Sequence, residues 1–517
     1  MTSLATTISG TSLLRGRSTS LRRERFRLAV LVYCGLCTSV ISSLGVLLIP
    51  TIADEQHVPL SSAQWVLTVN LLVGAISTPV MGRAADGRHP RRVLLSMLVG
   101  VLVGSVLCAV PGPFWQLLCG RALQGLTYGI IPVTMTLARR HLPADQVRRG
   151  VAALSVTAAT GLGLGYPFTG IIAEHLDYRV AFWVAAIFAG SALLLAPVFI
   201  PGTSSQRGAR PDLTGWLLRT AALGSGVVVP GGPVAAPERR VAVPGEGGRF
   251  DVLGTLLLAL GLGSGLLGLS ESADWGWTSA RVLGLLAVSL VMLVVWALWE
   301  LHCESPLVRL DLMRNPDIAV ANLAGLGLGI SMYIGFAAVG QLAQTPRSTG
   351  YGLGLSVFVA GCVIMPLSIG SQLASRVSAA LASRVGPRTL LPIGALFVAA
   401  ANTQLALAHG HLGELLIGMS LFGFGIGSTF AAMPGMIIGT VPAAEVGSAT
   451  SFNQVLRTIG GSIGSAITGA VLAMHLRGGQ PVDSGYRNTF ALSAVICTVL
   501  LIALLLHPLA ARRRRHR

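Results

Sequence analysis

Lysine is missing from this chain: all 37 basic residues, in a length of 517, are arginine. Acidic residues are few as well, at 20, and charged residues of both signs make up only 11%. A soluble domain carries roughly 25%, so a shortage that extends along the whole chain excludes an ordinary soluble protein. Cysteines number seven, and most lie inside apolar runs. Cys34-Gly-Leu-Cys37 has the C-x-x-C spacing of redox and metal sites, but neither a βαβ context nor a second ligand pair accompanies it. These thiols read as small buried hydrophobes, and no metal site is expected. No hydrolase or metalloprotease motif occurs. The runs "GLGLG" at 325–329 and "GFGIG" at 423–427 imitate a dinucleotide loop. They sit within long apolar stretches, without the strand-loop-helix setting such a loop needs. They read as helix-packing surfaces, and enzyme chemistry is not expected.

What is present is apolar. Hydrophobic residues reach 52%, glycine numbers 64 and the mean hydropathy is +0.71. A spanning helix needs about 20 apolar residues, and on that rule about fourteen candidate spans can be marked. The first six cover approximately Leu28–Pro50, Gln64–Ala84, Val93–Val110, Phe114–Ala138, Gly150–Ala173 and Val180–Ile200. Two more cover Asp251–Ser270 and Val282–Leu301. The last six cover Ile318–Ala343, Gly352–Ala374, Leu390–Ala408, Leu412–Ile438, Ala449–Met474 and Thr489–Leu506. The expected organisation is therefore a basic tail (1–27), a six-helix half (28–200), a linker (201–250), two inserted helices (251–301), a second six-helix half (318–506) and a second basic tail (507–517). The first run reads as an uncleaved signal anchor behind its tail. The linker is rich in proline and glycine. Its "PDLTGWLLRTAALGSG" partly echoes the start of the seventh span but is too short and interrupted to cross.

Arginine placement orients the chain. With the N-terminus inside, the outer loops hold only Arg179, Arg281, Arg347, Arg477 and Arg487, and nearly all other arginines fall inside. This is a strong positive-inside bias. It places both termini in the cytoplasm and the protein in the cell membrane. The formal charge of +17 is thus a matter of topology. The expected partner is the lipid bilayer, not nucleic acid. Only Arg121 and Arg457 remain within spans.

Two turns repeat. "GRAADGRHPRRVLL" (Gly82–Leu95) follows the second span and "ALASRVGPRTLL" (Ala380–Leu391) follows the tenth. If the seventh and eighth spans are an insertion, the turns hold matching places in two six-helix halves, an internal duplication of the kind secondary transporters use. Here the chain resembles the major facilitator superfamily, whose turn reads G-x-L-A-D-R-x-G-R-[KR]. Gly82, Asp86 and Arg91 match in the first copy, whereas Ala84, Gly87, His89 and Pro90 depart. Leu381, Ala382, Arg384, Gly386 and Arg388 match in the second copy, with Ser383 in place of the acid. "GRALQG" resembles the fourth-helix motif R-x-x-Q-G through Arg121, Gln124 and Gly125. "GLGLGYPFTG" resembles the fifth-helix antiporter motif through Gly161, Gly165 and Gly170. Tyr166 replaces its proline, Pro167 follows one place late, and Thr169 replaces a glycine. "AQWVLTVNLL", the inserted pair around "DWGWTS", and "FNQVLRTIGGSIGSAITGAVL" resemble the fourteen-helix drug:proton antiporters. One departure concerns chemistry. The acid and the asparagine frequent in the first helix of that family are replaced by Ile41 and Val46.

The resemblance implies an all-α polytopic transporter whose halves rock about a central site. It implies proton-driven export of drugs or other amphipathic small molecules by a functional monomer, with the proton gradient as energy source and no bound cofactor. Arg121, Gln124, Glu174 and Arg457 are the candidate coupling residues. Gly82, Asp86, Arg91, Arg384 and Arg388 form the gating turns. Gly161, Gly165, Pro167 and Gly170 belong to the antiporter-like helix. Asn70, Asn322, Tyr333, Gln341 and Asn453 are cavity candidates, since polar residues in spans face a cavity or another helix. Glu174 stands in for the missing first-helix acid. Counting from the helix ends at 1.5 Å per residue, Arg121 lies roughly 9 Å deep and Glu174 about 7 Å inward of Arg179, so the two are expected to be able to pair, with Arg121 facing the water-accessible path. Two other readings stay open: a facilitator or metabolite exporter without proton coupling, and a transport-inactive membrane sensor or scaffold.

Overall fold

The computed structural model describes residues 26–44, 48–58, 60–201, 251–304, 306–442, 445–477 and 480–515. The expected linker and most of the N-terminal tail lie outside the described residues. Helices dominate, and among the described residues twelve are long and apolar enough to cross a membrane. Two of the fourteen expected spans are not among the twelve. The fifth is the helix Ala144–His175. The fourth is divided into Phe114–Gln124 and Thr127–His141. At the division the ladder tightens, because Leu126, Tyr128 and Gly129 all donate to carbonyls three residues back. Gly125 is required here. A Cβ on it would lie 2.7 Å from the Asn70 carbonyl oxygen and 2.9 Å from Val73 Cβ.

Local signals set many of the boundaries. Prolines open four helices, at Pro50, Pro90, Pro316 and Pro387, where a missing N–H costs no hydrogen bond. Asp251, Ser279 and Asn315 cap others by accepting from a backbone N–H of the first turn. Two expected ends move. The first span runs Phe26–Ser43, and Pro50 belongs to a separate short helix, Ile49–Glu55. The last helix continues to Arg515, since alanine and arginine are strong helix formers and the arginine run does not end it.

The second span (Leu60–Asp86) and the fifth meet the second half of the chain, on the thirteenth span (Val446–Ala473) and on the tenth and twelfth respectively. The ninth (Pro316–Gln344) and thirteenth pack closely, with Gly329, Gly460 and Gly464 against the facing backbone. The inserted pair, Val252–Ser270 and Ala280–His302, packs on itself and reaches the second and thirteenth spans mainly through its first member, with Trp296 of the second stacked on Phe452. Its second member turns Leu283, Leu290 and Leu298 outward, as a lipid-facing helix does.

Contacts tie the helix ends together at two faces. One face holds Asp86, Arg139, Arg309, Arg388 and Glu445 and is rich in arginine. The other joins Gln56 to Tyr178, Glu174 to Phe358, Thr345 to Tyr486 and His409 to Asp483.

Candidate functional site

A cavity of about 660 Å³ lies between the halves. Its walls reach Ile49, Gln344 and Val357, so it extends from the middle of the bundle toward the arginine-poor face. Spans one, two, four, five, nine, ten and thirteen contribute to it. Of the expected cavity residues, Asn70, Tyr333 and Gln341 line it. Its aromatic wall is Tyr128, Tyr166, Tyr333 and Phe336, with ring centroids 6.1 Å apart for both Tyr166–Phe336 and Tyr333–Phe336. Asn322 and Asn453 do not line it. Asn453 Nδ2 donates to the Ala321 carbonyl and to Asn322 Oδ1, both at 3.0 Å, and so joins the ninth and thirteenth spans. Tyr333 was expected at the cavity, but Tyr128 and Tyr166, which also lie inside apolar runs, were missed. Their nearness to Gly125 and Pro167, two irregular helix positions, was the available signal.

The cavity is closed toward the arginine-rich face. Asp86 is buried, and its Oδ1 accepts from the Gly447 N–H at 2.6 Å. Its Oδ2 accepts from the Ser448 N–H at 2.8 Å and from the Ser448 hydroxyl at 2.6 Å. A carboxylate thus caps the first turn of the thirteenth span, where unpaired N–H groups and the helix dipole favour negative charge. Gly82 makes the approach possible, because a Cβ on it would lie 2.6 Å from the Gly447 carbonyl oxygen. Arg140 braces the turn by donating to the Asp86 and Gly87 carbonyls. A further link crosses between the halves beside it: Arg139 donates to the Ile438 and Val441 carbonyls at 2.8 and 3.2 Å. On the second-half side, Arg309, in the loop before the ninth span, meets Glu445 at 2.8 Å. Its guanidinium also holds the Asp311 carboxyl below the usual carboxylate range.

The other gating residues stay within one half. Arg91 donates to the Pro197 carbonyl at 2.8 Å. Arg388 makes a two-pronged contact with Asp317, at 2.6 and 2.5 Å, and Arg384 is exposed. In the antiporter-like helix, Gly161 and Gly165 abut Ser39 and Ser43 of the first span, Gly170 abuts Phe358, and Pro167 lies against Gly361. The fifth span is thereby held between the first and the tenth.

The expected Arg121–Glu174 pair is not formed, and Arg121 does not line the cavity. Arg121 is 0% exposed. Its Nε donates to the Val66 carbonyl at 3.0 Å and its Nη1 to Gln124 Oε1 at 2.7 Å, while Gln124 donates on to Ser105 at 2.9 Å. Arg121 and Gln124 share one helix face, and that face looks toward the second and third spans. Glu174 is exposed at the other rim, where it accepts from the Phe358 N–H at 2.6 Å and caps the tenth span. The direction that each side chain takes around its helix was not readable from sequence.

Arg457 behaves differently. It is 6% exposed and lies over the Phe430 ring, 3.5 Å from its centroid. It lines a chamber of about 50 Å³ directly below the main cavity. Ser42, Tyr128, Tyr333 and Thr458 line both spaces.

Two linked six-helix bundles around a central cavity, closed at one end by a turn after the second helix, form a transporter architecture. The chain matches the family model described as Major Facilitator Superfamily over residues 31–366 and 319–517. It belongs to the Major Facilitator Superfamily. A protein described as an MFS-type transporter of Mycobacterium tuberculosis is 27% identical over 474 residues, covering 90% of this chain and 62% of the relative. The chain thus spans less than two thirds of that relative. The tetracenomycin C resistance and export protein of Streptomyces glaucescens is 23% identical over 430 residues, covering 83% of this chain and 72% of the relative. Among solved structures, the human organic anion transporter MFSD10 aligns with a TM-score of 0.59 at 15% identity, over 93% of this chain and 99% of the other. That likeness concerns the fold alone. This superfamily member is a multi-pass membrane protein, and its relatives include exporters.

Proposed function

We propose that this chain exports amphipathic small molecules across the cell membrane by alternating access, driven by the proton gradient. The observation that carries the reading is the cavity itself. It reaches the arginine-poor face and is shut toward the arginine-rich face by the capping of the thirteenth span by Asp86. With the arginine-rich face and both termini in the cytoplasm, this is the outward-facing state. The inward-facing state requires Asp86 and Arg139 to release the second half, so that the two halves rock as rigid bodies. The domain plan follows: residues 28–200 and 318–506 are the moving halves, 251–301 an inserted pair and 201–250 a linker. A single chain contains the whole cavity, which supports a functional monomer. Export of tetracenomycin C is stated of one relative, and multidrug resistance is named for another. Both support an apolar, aromatic-lined site for amphipathic molecules.

One observation favours a second reading, facilitated export without proton coupling. Among the described residues no carboxylate lines the cavity, and Glu174 is occupied as a helix cap. Inverted vesicles with an imposed pH gradient separate the two, using neutral, anionic and cationic fluorescent dyes. Accumulation that appears with the gradient and collapses with a protonophore is the expected result. Uptake of equal extent with and without the gradient would leave only the facilitator.

A further inference from the structure

The floor of the cavity carries a charge that the protein itself leaves unanswered. Arg457 is more than nine-tenths buried, yet among the described residues it makes no side-chain hydrogen bond and no ion pair. A guanidinium offers five N–H donors, and burying a charge without partners is costly. Nothing nearby can neutralise it. The acids at the closed face, Asp86 and Glu445, lie at the start of the thirteenth span. Arg457 sits about 16 Å farther along the helix at 1.5 Å per residue. Beside Ile131 and Met332, the chamber is lined by hydroxyls, an amide and phenols. They include Ser39, Thr127 and Gln454, and among the described residues no Asp, Glu or His lines either space.

We propose that Arg457 is the anchor for an anionic group, so that the cavity selects aromatic molecules bearing a carboxylate or an acidic phenol and discriminates against cations. This rests on reading the cavity as the substrate site. The aromatic body fills the large space against Tyr166 and Phe336. The acidic group points between Tyr128 and Tyr333 into the lower chamber, whose 50 Å³ is several times the roughly 10–15 Å³ that one water needs and so admits a carboxylate. There it meets guanidinium N–H groups in the planar geometry that suits a carboxylate. The tyrosine faces could attract a cation. However, the Arg457 guanidinium already covers the Phe430 ring, and its charge, together with that of Arg121, opposes a second positive group in a poorly screened space.

The test compares two dyes with one xanthene skeleton and opposite charge, anionic fluorescein and cationic rhodamine 6G. Binding to the full-length protein in nanodiscs is read by fluorescence anisotropy. The wild-type protein should bind fluorescein about tenfold tighter or more, a modest value for one charge-assisted contact. Arg457→Gln should lose that preference by weakening fluorescein alone, and Arg457→Lys should keep part of it. Equal binding of the two dyes by wild type, or a preference for rhodamine 6G, overturns the proposal without recourse to any variant. Unchanged fluorescein affinity in Arg457→Gln overturns it as well. Transport in proteoliposomes is measured separately. Rhodamine 6G transport without fluorescein binding defeats the anion anchor and leaves the exporter reading standing. Fluorescein binding as described, without transport of either dye, defeats the exporter reading and supports the anchor.

Discussion

Arg121 and Arg457 are both arginines buried in membrane-spanning helices, and the protein treats them in opposite ways. Around Arg121 the fourth span supplies Gln124, the second supplies the Val66 carbonyl, and the third supports Gln124 through Ser105. Only its Nη2 lacks a partner. Around Arg457 there is a phenyl ring and a chamber, and among the described residues no acceptor within hydrogen-bond reach. A buried charge that protein groups satisfy is part of the scaffold, because removing it strands its partners. A buried charge left open at a cavity wall costs stability in the empty protein and is repaid when a ligand supplies the acceptors. Sequence alone ranks the two the other way, since only Arg121 falls in a known motif.

The contrast is broken or sharpened by substituting each charge. Arg121→Gln should show the largest loss of stability, about 3 kcal/mol for two buried acceptors left short of donors. It should read as a clear fall in the thermal midpoint of the detergent-solubilised protein. An unchanged midpoint would mean that the Val66 and Gln124 contacts carry no energy.

Asp86→Asn comes next, at about 2 kcal/mol, because an amide cannot accept all three charge-assisted bonds. The effect should be local to the joint between the halves. Hydrogen exchange at the Gly447 and Ser448 amides should accelerate while that at Asn453 does not, and transport should fall. Unaltered exchange at both amides would sink the idea that Asp86 holds the closed face.

Arg388→Gln removes an exposed contact with Asp317 inside one half and should cost about 0.5 kcal/mol or less. Transport and exchange at Gly447 should match wild type. A transport loss as large as that of Asp86→Asn would give the second turn an equal gating role and erase the asymmetry between the repeats.

Arg457→Gln should leave the midpoint unchanged or raise it, since it removes an unpaired buried charge, even as it lowers fluorescein binding. A fall comparable to that of Arg121→Gln would show that Arg457 is scaffold too.

Much of this was legible in the sequence because it depends on local composition. Apolar run length, prolines at helix starts and the asymmetric arginines mark spans and loops, each set by the adjoining residues and the bilayer. Glu300 shows where legibility stops. As an acid near the end of an apolar run it gave no warning of a role. Folded, it is buried and accepts from the Leu307 and Val308 N–H groups, holding the loop that leaves the inserted pair. Its neighbour Trp296 stacks on Phe452 of the thirteenth span.

By itself the sequence determined the all-helical membrane class, the repeated turn and the residues that must sit at helix ends. Backbone groups in lipid have to bond within their own helix, which makes each span readable without reference to the others. The tertiary structure alone decided which face of each helix meets which partner. It sent Arg121 away from Glu174 and toward Val66, joined Asp86 to a helix start 361 residues further along the chain, and left Arg457 facing a chamber. These outcomes depend on the rotation of packed helices about their axes. That rotation is set by small-residue contacts such as Gly82 on Gly447 and Gly125 on Asn70, which link positions far apart in sequence.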